Sequence, residues 1–161
     1  DIESHEGTGT TFKLFFPVTR DEMEAKDRPV SVEEYVGNGE KILIIDDVKA
    51  QRELATNMLT KLNYNTETAE SGEEAVEYLQ NDSADILVLD MIMDPGIDGL
   101  ETYKRILEIH PKQKAVIASG FSETDRVREA QQLGACTYIK KPYTLEKIGL
   151  AIKTELKNTS I

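Results

Sequence analysis

The chain has 161 residues, and its 19 Lys and Arg against 30 Asp and Glu leave a formal charge of −11, which disfavours a nucleic-acid-binding surface. At 39% hydrophobic and 30% charged it has the composition of a globular protein rather than a disordered or fibrous one. The single Cys136 excludes an intrachain disulfide and a cysteine-rich zinc cluster, and no apolar run approaches the roughly 20 residues that span a bilayer. The polar start at Asp1, Glu3 and His5 carries no signal-peptide pattern, and with no initiator Met it reads as the beginning of a fragment of a longer protein.

In chain order, Gly7 and Gly9 precede alternating Phe12, Leu14 and Phe16, the pattern of a short strand with one buried face. Residues 19–40 then carry Asp21, Glu22, Glu24, Asp27, Glu33, Glu34 and Glu40, with Pro29 and the Gly37 and Gly39 turn, and show no sustained apolar period. They read as an acidic, solvated linker. From Lys41 the pattern becomes regular. Ile42 to Ile45 form a run apolar on both faces, which predicts a buried parallel strand ending at Asp46 and Asp47. Leu54 or Ala55, with Met58, Leu59 and Leu62, predict a helix, and residues 64–69 a second strand.

Ser71 followed by Glu74 predicts a capping box at the next helix start, with Ala75, Val76 and Leu79 inward. Residues 85–90 are a third strand finishing on Asp90, residues 98–109 a helix closed by Pro111, and residues 115–119 a fourth strand ending at Ser119. Ser122 caps a helix that Gly134 ends, residues 136–140 form the fifth strand, and Leu145, Ile148, Ile152 and Leu156 share one face of a last helix over 144–157. Five strands alternating with five helices imply an α/β, doubly wound parallel sheet covered on both faces, with any site beyond the carboxyl ends of the strands.

Four of those ends supply polar residues to one rim: Asp46 and Asp47, Asp90, Ser119, and Lys141 after the fifth strand. Three carboxylates this close either share protons or hold a cation, and a hard divalent ion such as Mg²⁺ resolves their repulsion through oxygen ligands. Lys141 can pair with a resting carboxylate and later with an added phosphoryl group. The set therefore suits phosphoryl transfer to a carboxylate, with Asp90 attacking in line and no base required, since the acid is already ionised at neutral pH.

With these residues in view, residues 41–158 resemble the receiver domain of two-component response regulators, a flavodoxin-like (βα)5 fold. The resemblance rests on Ile45-Asp46-Asp47, Leu89-Asp90, the stretch from Pro95 through Asp98 and Gly99 to Glu101, Ala118-Ser119-Gly120, and Tyr138 through Lys141-Pro142. It implies that Asp90 is the phosphoacceptor for a group delivered from phosphohistidine, that Asp47 ligates Mg²⁺ directly, and that Asp46 acts through a coordinated water. It further implies that the Ile92 carbonyl completes the metal shell, that Lys141 contacts the phosphoryl group across a cis Lys141-Pro142 bond, and that Ser119 and Tyr138 form a hydroxyl and aromatic switch. The implied partners are a histidine kinase or a histidine phosphotransfer protein, with a receiver dimer as a further expectation and neither nucleic acid nor direct membrane contact.

Residues 1–18 have a weaker resemblance, through Gly7, Gly9 and the run to Pro17, to the last glycine loop and closing strand of a histidine-kinase ATP-binding domain. Together the two point to the receiver end of a hybrid sensor histidine kinase, on the cytoplasmic side even if the parent is membrane-anchored. The fragment itself lacks a kinase's ATP site and phosphorylatable helices, so its own chemistry is limited to aspartyl phosphorylation and its reversal. The hydroxyl of Ser119 also suits a cap, Tyr138 also suits plain strand packing, and His5, His110 and Cys136 read as incidental. Met91 and Met93 read as fillers, thioethers being poor partners for a hard cation.

One feature departs from the family. Pro95 comes five residues after Asp90 rather than four, a one-residue insertion near Asp94 that leaves open which carbonyl faces the metal and whether Asp94 joins it or simply faces water. The insertion keeps a pseudo-receiver, a binding module without phosphate uptake, as the alternative. A hydrolase with an aspartyl nucleophile needs a second acid two residues on, where Ile92 follows Asp90 and Val48 follows Asp46. A flavin-binding variant fails because Asp46 and Asp47 would repel its phosphate.

Overall fold

The computed structural model describes residues 1–5, 7, 9–15, 31–120, 125–135 and 137–158. The expectations placed on Phe16, Ser122, Cys136 and the acids of 19–30 lie outside the described residues. Strand β1 (Ile2–His5) and strand β2 (Gly9–Phe12) form an antiparallel pair, with Ile2 opposite Phe12. The expected strand is thus present, but its buried face is not: every residue of both strands is exposed, Phe12 at 64%. Two short strands offer no second layer against which alternating apolar side chains can pack.

The acidic stretch read as a linker does not run free to Lys41. A 3-10 turn over Val32–Glu34 follows Ser31, and Tyr35 after it is buried to 6%. Tyr35 joins a core cluster, its carbonyl accepts from the Tyr64 hydroxyl at 3.2 Å, and the Val36 carbonyl accepts from Lys153 Nζ at 2.9 Å. Gly37 N–H and Gly39 N–H donate to the carbonyls of Leu62 and Asn63. Composition hid this docking, because one aromatic among acids and glycines makes no periodic signal, yet a buried Tyr contributes as much as a core aliphatic. Gly149 makes room for it: a Cβ there would stand 2.8 Å from the Tyr35 ring.

The main sheet and its helices alternate as predicted: β3 (Lys41–Ile45), α1 (Lys49–Lys61), β4 (Asn65–Ala69), α2 (Gly72–Asn81), β5 (Ile86–Asp90), α3 (Gly99–Ile109), β6 (Ala115–Ser119), α4 (Asp125–Gln132), β7 (Thr137–Lys140) and α5 (Leu145–Lys157). The strands are all parallel in the order β4-β3-β5-β6-β7. The chain leaves β3 toward one edge and returns to build toward the other, so the topological switch point lies between β3 and β5.

Successive strand residues point to opposite faces, and the apolar strands therefore feed two cores. Leu43, Ile45, Leu87, Leu89 and Ile117 pack under α2, α3 and α4, whereas Ile42, Ile44, Ile86, Val88 and Val116 pack under α1 and α5. Each such side chain contributes roughly 1.5–3 kcal/mol on burial. Helix α1 turns Ala55 and Leu59 inward and leaves Leu54 43% exposed, which settles the open choice between Leu54 and Ala55.

Helix starts follow the capping residues. Ser71 accepts from Glu74 N–H at 3.1 Å, Asp98 from Glu101 N–H at 3.0 Å, and Thr144 from Lys147 N–H at 3.2 Å. The Glu74 carboxylate accepts from Glu70 N–H at 2.6 Å, one residue upstream of the position a capping box requires.

Because Tyr35 is part of the core, Tyr35→Ala should destabilise the protein by about 3 kcal/mol in urea denaturation. A change within about 0.5 kcal/mol, the range of ordinary surface substitutions, would instead mark the segment as a solvated tether.

Candidate functional site

The β3 ladder carries one residue past the strand, Asp46 N–H donating to the Ala69 carbonyl at 3.2 Å, and there the apolar run gives way to Asp46 and Asp47. Asp46 Oδ1 accepts from Val48 N–H at 2.9 Å, doing at the start of α1 what the Val48 side chain cannot. Asp90 closes β5 alongside, its Oδ1 accepting from Ile92 N–H at 3.2 Å. The carboxylates of Asp46, Asp47 and Asp90 each bring an oxygen within 4.8 Å of the others.

Lys141 answers their charge. Ser119 pairs with Lys140 in the β6–β7 register, and Lys141 N–H donates to the Ser119 carbonyl at 2.8 Å, which fixes the residue after the strand over the rim. From there Lys141 Nζ donates to Asp46 Oδ2 at 2.5 Å and to Asp90 Oδ2 at 2.8 Å. The Lys141-Pro142 bond is cis. Ser119 is buried at the end of β6, and Tyr138 is half-buried on β7 against the core under α2, α3 and α4.

Burial pushes the Asp90 carboxyl above its ordinary value, against the opposing pull of the Lys141 ammonium and the Ile92 amide, and Asp46 adds to the rise. Burial by itself would lower Lys141, but the hydrogen bonds to Asp46 and Asp90 overcome it and hold the amine firmly protonated. The rim thus combines a desolvated carboxylate, a fixed cation and two further acids.

The loop after Asp90, with its additional residue, is anchored along its length. Asp94 N–H donates to Asp47 Oδ2 at 3.4 Å, Ile97 N–H donates to Glu73 Oε1 at 2.9 Å, and Arg126 of α4 pairs with Asp98. The Asp94 side chain is exposed and is not among the three clustered acids. The Asp94-Pro95 bond is also cis. Gly99 closes the loop on the strand end, where a Cβ would stand 2.7 Å from Met91 Cα, inside any tolerable contact. Met91 and Met93 are buried in the core, and the Ile92 side chain is exposed beside the rim. His110 lies at the far end of α3 from Gly99, its Nε2 2.8 Å from the Leu79 carbonyl, and His5 lies on the exposed β1.

Two residues escaped the sequence reading. Arg52 Nη1 donates to the carbonyls of Asp46 at 2.7 Å and Asp47 at 3.1 Å. Glu73, which receives the Ile97 amide, is held below the ordinary carboxylate range by its own backbone N–H and by that of Ile97. Both are charged residues in polar helix turns, the commonest surface pattern. The available signal was position alone, Arg52 in the first turn after the acidic pair and Glu73 in the first turn after Ser71.

The raised carboxyl of Asp90 has a consequence for stability. As pH falls, the folded protein takes up this proton before the unfolded chain does, so the wild type should gain stability relative to Asp90→Asn through that window. Thermal melts of both proteins without metal between neutral and acid pH should show the wild type gaining on the variant in that direction, and parallel profiles would contradict the assignment.

Comparison with known proteins identifies the family and the fold. Residues 42–153 match the family model described as the response regulator receiver domain. The chain is 35% identical over 117 residues to sporulation initiation phosphotransferase F of Bacillus subtilis, covering 73% of this chain and 94% of that protein. It is 29% identical over 164 residues to the sensor kinase CckA of Brucella abortus, covering 96% of this chain but only 17% of that protein. Among solved structures, the response regulator TrrA of Thermotoga maritima in complex with Mg²⁺ and BeF superposes with a TM-score of 0.65 at 28% identity, over 71% of this chain and 97% of that one. The chain belongs to the response regulator receiver family, with the flavodoxin-like α/β fold of that family.

Proposed function

We propose that this receiver takes a phosphoryl group from a phosphohistidine onto Asp90, with Mg²⁺ held by Asp46, Asp47 and Asp90 and by the Ile92 carbonyl. The observation that carries the reading is the Lys141 ammonium bridging Asp46 and Asp90 at the switch point of the sheet. Receiver domains bind Mg²⁺ at an acidic pocket, and three carboxylate oxygens this close are the donor set a hard divalent ion prefers. The Mg²⁺ and BeF in the TrrA structure support the same ion here. When bound, Mg²⁺ would neutralise charge on the transferring oxygens.

The residues of the chain account for the rest. An ionised Asp90 oxygen attacks phosphorus as the bond to the donor imidazole nitrogen breaks, and the nitrogen leaves with the electron pair of that bond. Lys141 keeps its contact to Asp46 and turns its remaining donors from the lost Asp90 charge to the new phosphoryl oxygens. Ser119, at the end of the adjacent strand, supplies a hydroxyl to the same group, and Tyr138 on β7 follows it inward. The added charge thereby biases the surface formed by α4, β7 and α5. Water later attacks the acyl phosphate and restores Asp90.

The partners on this reading are a histidine kinase or a histidine phosphotransfer protein, and a second receiver where the domain dimerises. Alignment with a sensor kinase across nearly the whole chain supports a hybrid-kinase parent, in which residues 1–18 close the ATP-binding domain and 19–40 connect it to the receiver. Among the described residues no helix is long and apolar enough to cross a membrane. A cytoplasmic position follows from the proposed partners.

Incubation with acetyl phosphate and Mg²⁺ should add about 80 Da, one phosphoryl group, to the intact mass. The adduct should disappear in Asp90→Asn and in EDTA, and an adduct that persists in either would overturn the role of Asp90 or of the metal. Separately, Mg²⁺ should raise the melting temperature of the wild type through preferential binding to the folded state, and Asp47→Ala should abolish the increase. No adduct together with no Mg²⁺ effect would favour the pseudo-receiver.

A further inference from the structure

A metal site built from consecutive residues depends on the backbone that presents them. Asp46 and Asp47 lie where β3 has ended and α1 has not begun, so their carbonyls fall between the two regular hydrogen-bonding systems of the fold. The first helical bonds begin later, with Gln51 N–H and Arg52 N–H on the Val48 carbonyl. Arg52 reaches back from the first turn of α1 to fill this gap, its Nη1 on both carbonyls at 2.7 and 3.1 Å. Its side chain is 12% exposed, and its second terminal nitrogen, Nη2, lies 3.4 Å from Glu70, an exposed carboxylate whose pairing carries little. The two carbonyls are therefore its main partners. A planar guanidinium donating to successive carbonyls sets the orientation of the peptide between Asp46 and Asp47, and with it the direction in which the Asp47 carboxylate leaves the backbone.

Resting on the receiver reading above, we propose that Arg52 is a positioning residue of the metal site: it holds the Asp46-Asp47 backbone so that both carboxylates meet Asp90. It touches neither the ion nor the transferring group.

Isothermal titration with Mg²⁺ tests this, comparing wild type, Arg52→Met, Arg52→Lys and Ala55→Gly. Arg52→Met keeps the apolar stem and removes the donors, and it should weaken Mg²⁺ binding about tenfold, the usual effect of losing a group that orients a ligand. Arg52→Lys should recover part of that loss. Ala55→Gly destabilises the same helix from its buried face and should lower the melting temperature while leaving the Mg²⁺ dissociation constant in place. Arg52→Gln carries the same expectation as Arg52→Met should the latter fold poorly. Unchanged affinity in Arg52→Met, or equal weakening in Ala55→Gly, would overturn the positioning role while leaving the receiver reading intact. A wild type that binds no Mg²⁺ would take down the receiver site itself and the inference with it.

Discussion

The site depends on one ammonium group. Two carboxylates that end neighbouring buried strands cannot both remain ionised and desolvated without a counter-charge, and Lys141 supplies it to Asp46 and Asp90 together. The pair is buried enough for desolvation to matter, which is why Asp90 sits above its ordinary pKa even with the lysine in contact. On the function proposed above, a cation between the acids or a phosphoryl group on Asp90 would alter the balance that holds Lys141 in place.

The fold brings these groups together by ordinary packing. The strand residues that precede Asp46 and Asp90 are apolar on both faces because helices cover both, and parallel register places the carboxyl ends of β3 and β5 side by side. The β6–β7 register then carries Lys141 over the same edge. Around this rim the loops are secured by polar contacts as well as by the burial of Met91 and Met93: Glu73 and Asp47 receive loop amides, Asp98 caps α3 and meets Arg126, and Arg52 holds the turn into α1. The additional residue before Pro95 is accommodated within this frame, since Gly99 still closes directly onto Met91.

Local patterns carried much of this into the sequence. Runs such as Ile42 to Ile45 and Ile86 to Leu89 announce buried parallel strands, and Ser71, Asp98 and Thr144 announce helix starts, because each effect involves residues close in the chain. The acids and Lys141 were legible for the same reason, each standing at the end of a recognisable run. Tyr35 was not, since the partners that bury it, Leu62, Tyr64 and Gly149, are remote in sequence. The exposure of Phe12 and Leu14 was equally hidden, because alternation describes what a strand could bury and says nothing of whether another layer is present.

What the sequence determined by itself is the order of elements, the split of apolar residues between two faces, and the identity of the acids and the lysine at the strand ends. These follow from periodicity and local hydrogen bonding, which the chain encodes within a few residues. Only the tertiary structure decided that Lys141 bridges Asp46 and Asp90, that Arg52 spans the Asp46 and Asp47 carbonyls, that Glu73 anchors the lengthened loop, and that residues 31–40 pack on the domain. Except for Arg52, those contacts join residues more than 20 positions apart in the chain, as with Lys141 and Asp46 at a separation of 95. Their geometry exists only once the sheet has set its strand order and register.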